Sequence, residues 1–348
     1  MGRYDANALR SLVKLGYWWL AWELKDWESK MKTTSTFKLV TATAVAALSV
    51  ATAAFAADPD SCSTVHFSDV GWTDITATTA TASVVLKSIG YQTDVKVLSV
   101  PVTYTSLKNK DIDIFLGNWM PTQEKDVRPY LDDKSVESFG PNLVGAKYTL
   151  ATNAKGAELG IKDFKDIAAH KDDLDGKIYG IEPGNDGNRL VMDLIEKNTF
   201  GMKEMEVVES SEQGMLAQVA RAEKAGKPVV FLGWEPHPMN TNFKLTYLTG
   251  GDDVFGPDFG GAKVYTNVRA GYLDECPNVG AMLKNLKFSL DMENKIMGKI
   301  LDDGKEPEAA ASEWLKANPS ALEPWLAGVK TRDGKGDALA AAKTGLGL

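Results

Sequence analysis

The sequence predicts an α/β fold in two lobes, with the chain crossing between them twice and a ligand cleft where the lobes meet. Three observations carry this reading. Short β-rich runs alternate with helix-length segments, the pattern of a parallel or mixed sheet covered by helices. Two extended segments, 147–152 and 263–269, stand where one strand–helix series ends and the next begins, as hinge crossings would. An internal echo sets Phe115-Leu116-Gly117-Asn118-Trp119-Met120-Pro121 against Phe231-Leu232-Gly233-Trp234-Glu235-Pro236, pointing to two similar halves.

Strands are expected at 64–69, 94–99, 111–116, 177–182, 206–210 and 228–232. Helices are expected at about 74–89, 186–197 and 212–225, each opened by an acidic residue able to cap it. A helix-rich tail, 278–348, follows the second crossing. Lobe 1 is therefore assigned to 57–143 and 255–348, and lobe 2 to 144–254.

Ahead of the lobes, residues 31–56 read as a secretory signal. Lys32 and Lys38 precede an apolar, small-residue stretch, and Ala54-Phe55-Ala56 supplies the A-x-A cleavage pattern before Ala57. A membrane anchor is the competing reading, but a span needs about 20 strongly apolar residues and this stretch is rich in Ala and Thr. Residues 1–30, with Trp18, Trp19, Trp22 and Trp27, form an N-terminal extension; translation from Met31 is expected, an amphipathic extension being the alternative. The mature protein is then exported.

With 348 residues, 44% hydrophobic and 25% charged, the composition is globular and the length suits two domains. The net charge is -8; without the first 57 residues, 32 basic and 43 acidic residues remain, a net -11. Nucleic acid and anionic lipid are poor partners for such a surface, whereas a cationic or neutral ligand fits it. The two cysteines, Cys62 and Cys276, lack the neighbours of a redox or zinc motif. In an oxidising compartment they read as one disulfide, two buried thiols being the alternative.

Ligands of open α/β sheets bind beyond the carboxyl ends of the strands. At those ends stand Gly71-Trp72-Thr73-Asp74, Gly117-Asn118-Trp119, Pro183-Gly184-Asn185 and Gly233-Trp234. A tryptophan beside a glycine in a loop must pack against its lobe or await a ligand. Three at equivalent positions favour a ligand, while Trp314 and Trp325 in the tail are assigned to core packing. Aromatic faces attract cations, and a methylated nitrogen, which donates no hydrogen bond, is well satisfied by rings. Tyr148, on the first crossing, is a candidate fourth wall, with a purely structural hinge role as the alternative.

An enzyme is the competing class. His66, His170 and His237 are not spaced as zinc ligands, and the H-E-x-x-H, G-x-S-x-G and P-loop patterns are missing. Gly184-Asn185-Asp186-Gly187 lacks the dinucleotide-binding pattern, which leaves only a hydrolase built on an unrecognised Asp–His pair. No catalytic residue, metal or cofactor is expected.

The signal together with Gly71-Trp72-Thr73-Asp74, Leu116-Gly117-Asn118-Trp119, Glu182-Pro183-Gly184-Asn185 and Gly233-Trp234-Glu235-Pro236-His237 resembles the glycine betaine/choline family of periplasmic binding proteins, from about Asp58 onward. The resemblance implies a periplasmic protein with a type II fold that closes by hinge bending and docks on an inner-membrane ABC permease driven by an ATPase. It implies that Trp72, Trp119, Tyr148 and Trp234 box a trimethylammonium head, that Asp74 and Asn185 hydrogen-bond the ligand's hydroxyl, and that Cys62 and Cys276 are joined. An ionised Asp74 would attract a cation and repel a carboxylate, so choline is expected ahead of glycine betaine. Acetylcholine, betaines and carnitine stay open as further ligands, and helix N-capping stays open as the role of Asp74 and Asn185. The chain is expected to act as a monomer without nucleic acid; a secreted ligand sensor is the other functional reading.

Overall fold

The computed structural model describes residues 57–348, so the expectations for 1–30 and for the signal 31–56 lie outside the described residues. Nine strands form one mixed sheet. β1 (Thr64–Asp69), β2 (Gln92–Val97), β3 (Ile114–Met120), β4 (Val136–Asn153), β5 (Lys177–Tyr179), β6 (Glu206–Val208), β7 (Val230–Glu235), β8 (Leu245–Tyr247) and β9 (Gly261–Arg269) follow in chain order. Across the sheet they run β2-β1-β3-β9-β4-β7-β5-β6, with β8 beside β4. β1 pairs in parallel with β2 and β3, and β5 in parallel with β6 and β7. Between these two parallel blocks lies the antiparallel pair β4–β9.

The two segments read as crossings are thus the two strands that join the halves of the sheet. β4 is 18 residues long, and its register against β9 shifts between Phe139 and Ala146. Such irregularities bend a strand and let it serve both halves.

Helix Thr73–Ser88 is Thr- and Ala-rich and buried along most of its length. β-Branched threonines are weak helix formers, but Thr78 and Thr81 turn their hydroxyls back onto the carbonyls of Ile75 and Ala77. The small residues leave room for the tail helices Leu290–Leu301, Pro307–Ala317 and Ala338–Leu346 to pack over it. Trp314 and Trp325 are buried there, and the Trp325 indole donates to the Lys287 carbonyl at 3.0 Å.

The thiol alternative is corrected: Cys62 and Cys276 form a disulfide across 214 residues, with Cα atoms 5.8 Å apart. Asp58 reinforces this tie. Its carboxylate accepts the amides of Asn278 and Val279, at the start of helix Pro277–Asn285, and the Tyr91 hydroxyl.

The strand ends also need correction. β3 and β7 run on to Met120 and Glu235, past the expected ends at 116 and 232, whereas β5 and β6 stop short of theirs. Trp119 and Trp234 therefore stand inside strands. Both strands end beside a cis proline, Pro121 and Pro236. The acidic helix openers are not the caps either. Asn185 and Ser211 accept the amides of Asn188 and Gly214, while Asp74, Asp186 and Glu212 lie in the first turns, near the positive end of the helix dipole.

An aromatic cavity between the halves of the sheet as candidate functional site

Trp72 follows β1 through Gly71, whose φ of +81° suits glycine. It occupies the N-cap position of helix Thr73–Ser88 and supplies no side-chain cap, so its indole is free to point away from the helix. The indole N–H is shared by both carboxylate oxygens of Glu182, each at 3.0 Å. Trp119, near the end of β3, donates its indole N–H to Asp74 Oδ2 at 3.1 Å. Tyr148 on β4 and Trp234 on β7 are direct cross-strand partners.

The Tyr148 ring centroid lies 6.1 Å from Trp119 and 6.3 Å from Trp234, at interplanar angles of 65° and 85°. Edge-to-face angles of this kind leave ring faces turned toward a common space. Trp72, Asp74, Trp119, Tyr148, Asn185 and Trp234 all line one small cavity, with Ile181 as a seventh lining residue.

The polar lining is as organised as the rings. Tyr148 donates its hydroxyl to Asn185 Oδ1 at 2.8 Å, and the same oxygen caps helix Asp186–Glu196 by accepting the Asn188 amide at 3.1 Å. Capping and cavity lining coexist in Asn185, whereas Asp74 caps nothing. Asp74 Oδ1 and Trp234 Nε1 are buried without a hydrogen-bond partner. Gly187 is dictated by close approach, because a Cβ there would lie 2.1 Å from the Tyr148 hydroxyl oxygen.

Charge is held in this region under tension. Burial, with the nearby Glu212 adding to it, pushes the Asp74 carboxyl well above its ordinary range. The preference for a cation over a carboxylate needs Asp74 ionised, and in this setting its negative charge is favoured by a cation beside it. Burial also raises Glu182 to about 7 and Asp186 to about 6. The cavity thus combines ring faces with one carboxyl group, Asp74, that gains from meeting positive charge. A metal has no thiolate to bind: Cys62, Cys276 and Glu275 converge, but both sulfurs are used in the disulfide.

Sequence reasoning missed Ile181, an ordinary isoleucine two residues beyond β5 whose only signal is its place before Glu182-Pro183-Gly184-Asn185. It also missed the bridging roles of Glu182 and Glu212, because contacts between residues 110 and 139 positions apart leave no local pattern.

Two parallel blocks joined by two crossing strands, with a walled cavity between them, define a type II periplasmic binding protein, a solute receptor and not an enzyme. The chain belongs to the family of substrate binding domains of ABC-type glycine betaine transport systems, which it matches over residues 63–317. Receptors of this family work outside the cytoplasm beside a membrane permease. The chain is 76% identical to an ABC-transporter choline binding protein solved in complex with choline; the match covers 83% of this chain and 100% of that one, with a TM-score of 0.82. A structure described as an ABC-transporter choline binding protein in an unliganded semi-closed conformation matches with the same identity and coverage and a TM-score of 0.77. The glycine betaine/carnitine transport binding protein GbuC of Listeria monocytogenes is 33% identical over 125 residues, 36% of this chain and 40% of that protein.

Proposed function

We propose that this protein captures choline and delivers it to an inner-membrane ABC permease, working as a monomer in the periplasm after loss of the signal 31–56. The reading is carried by one observation: four aromatic rings and the Asp74 carboxyl line a single small cavity. Rings satisfy the methylated nitrogen, and Asp74 and Asn185 take the hydroxyl end. The high identity to a choline-bound protein supports the same ligand.

In this reading the lobes are 57–143 with the returning tail, and 144 onward to the second crossing. Phe255 packs on Tyr148 and Phe164, which argues for drawing that crossing in β9, a few residues after position 255. Calorimetric titration of residues 57–348 with choline, acetylcholine, glycine betaine, proline betaine and carnitine tests the ligand. Choline should bind at about micromolar Kd, about -8 kcal/mol, and more tightly than any betaine. Tighter binding of glycine betaine, or no heat from any of the five, would reject the reading.

A further inference from the structure

Helix Thr73–Ser88 begins without a side-chain cap of its own, and the first amides of a helix need acceptors. The first of them finds one from the opposite half of the sheet. Thr73 donates its backbone N–H to Glu212 Oε2 at 2.7 Å and its hydroxyl to Glu212 Oε1 at 2.5 Å. Glu212 is 1% exposed. Its Oε1 lies 3.1 Å from His237 Nε2, and His237 Nδ1 accepts the Met239 amide, which leaves the Nε2 proton to face the glutamate. One residue earlier, the Trp72 indole is gripped by both oxygens of Glu182.

Trp72 and Thr73 follow β1, while Glu182 and Glu212 follow β5 and β6, on the other side of the β4–β9 pair. Neither glutamate lines the cavity. A carboxylate at a helix N-terminus is favoured by the helix dipole, and charge-assisted hydrogen bonds are stronger than neutral ones.

We propose that Glu182 and Glu212 are positioning residues for ligand binding: they hold the Trp72 wall against the cavity from across the cleft, and they engage it only as the two halves come together. The inference rests on the choline reading above. Residence time is then set partly by two side chains that need not touch the ligand. Before closure the Trp72-Thr73 segment is held from one side only, so a ligand entering the open site meets three firm walls and a loose fourth.

The test is stopped-flow choline binding by residues 57–348 with Glu182→Gln, Glu212→Gln and Thr73→Val, followed by tryptophan fluorescence. Each variant should speed dissociation, the two glutamine variants by about tenfold, and change association less than threefold. The Trp72 indole N–H resonance in the choline complex, assigned through Trp72→Phe, should move in Glu182→Gln. Arg189→Gln breaks a different bridge between the halves, Arg189 with Asp126 at 2.9 and 2.6 Å. It should speed dissociation and leave the Trp72 resonance in place. If unaltered protein binds no choline, the functional reading fails first. If it binds choline while the glutamine variants keep its dissociation rate and the Trp72 resonance, or if Arg189→Gln moves that resonance as far, the positioning role is overturned.

Discussion

At the scale of single residues, the site works by holding each ring through its polar edge or its strand partner. Trp72 is held by Glu182, Trp119 by Asp74 and Tyr148 by Asn185, which keeps their faces free. Under the choline reading, Trp119→Ala or Trp234→Ala should weaken binding by about 1–3 kcal/mol, since each removes a cation–π wall and its apolar contact. Calorimetry on folded variants measures this, and unchanged affinity would remove the residue from the box. Glu182 makes a separate prediction about stability. Its ordinary pKa of 4.5 rises to about 7 in the folded protein, chiefly through burial. The native state therefore holds this proton more tightly than the unfolded chain does. Its contribution is full below about pH 4.5 and is lost as pH climbs through about 7. In choline-saturated protein, where the halves are together, Glu182→Gln should flatten part of the fall in melting temperature across that window; an unchanged slope would contradict the assignment.

Among the elements, most strands and the three leading helices were legible because their hydrophobic runs are long and cleanly bounded. β1 and helix Glu212–Ala225 match their expected limits. The errors have a common cause in glycine and in short polar side chains. Gly117 and Gly233 read as strand terminators, yet they serve close packing inside strands. A Cβ on Gly117 would come within 2.8 Å of Ile75 and Phe115, and one on Gly233 within 3.0 Å of Ala151. Asn185 and Ser211 outcompete the acidic residues after them as caps, because a short side chain in extended backbone reaches the third amide readily. Six of the seven cavity residues were legible from motif and resemblance, but their convergence depends on sheet order, which no local window contains. Cys62 precedes β1 and Trp72 follows it, which puts the disulfide and the Trp72 wall at opposite ends of that strand, and neither cysteine lines the cavity. Removing it as Cys62→Ser/Cys276→Ser should cost roughly 2–5 kcal/mol in denaturant unfolding, the loop being long. Choline affinity should stay within about twofold.

For the whole molecule, β4 and β9 are the two strands shared by both halves of the sheet, so relative motion of the halves must be absorbed there. Small-angle scattering on residues 57–348 should record a smaller radius of gyration with saturating choline than without it. Identical values would argue against hinge closure as the binding mode. The return path through β9 has a further consequence, for the order in which the molecule can be assembled. The block built around β7, β5 and β6 comes from consecutive chain and can form as soon as residue 235 is available. The block around β1 cannot: β3 lacks its β9 neighbour, Cys62 lacks its partner, and helix Thr73–Ser88 stays uncovered until the last helices arrive. The amino-terminal half is thus completed last, and a chain cut short of its final helices would keep one finished lobe beside a sticky, half-built one.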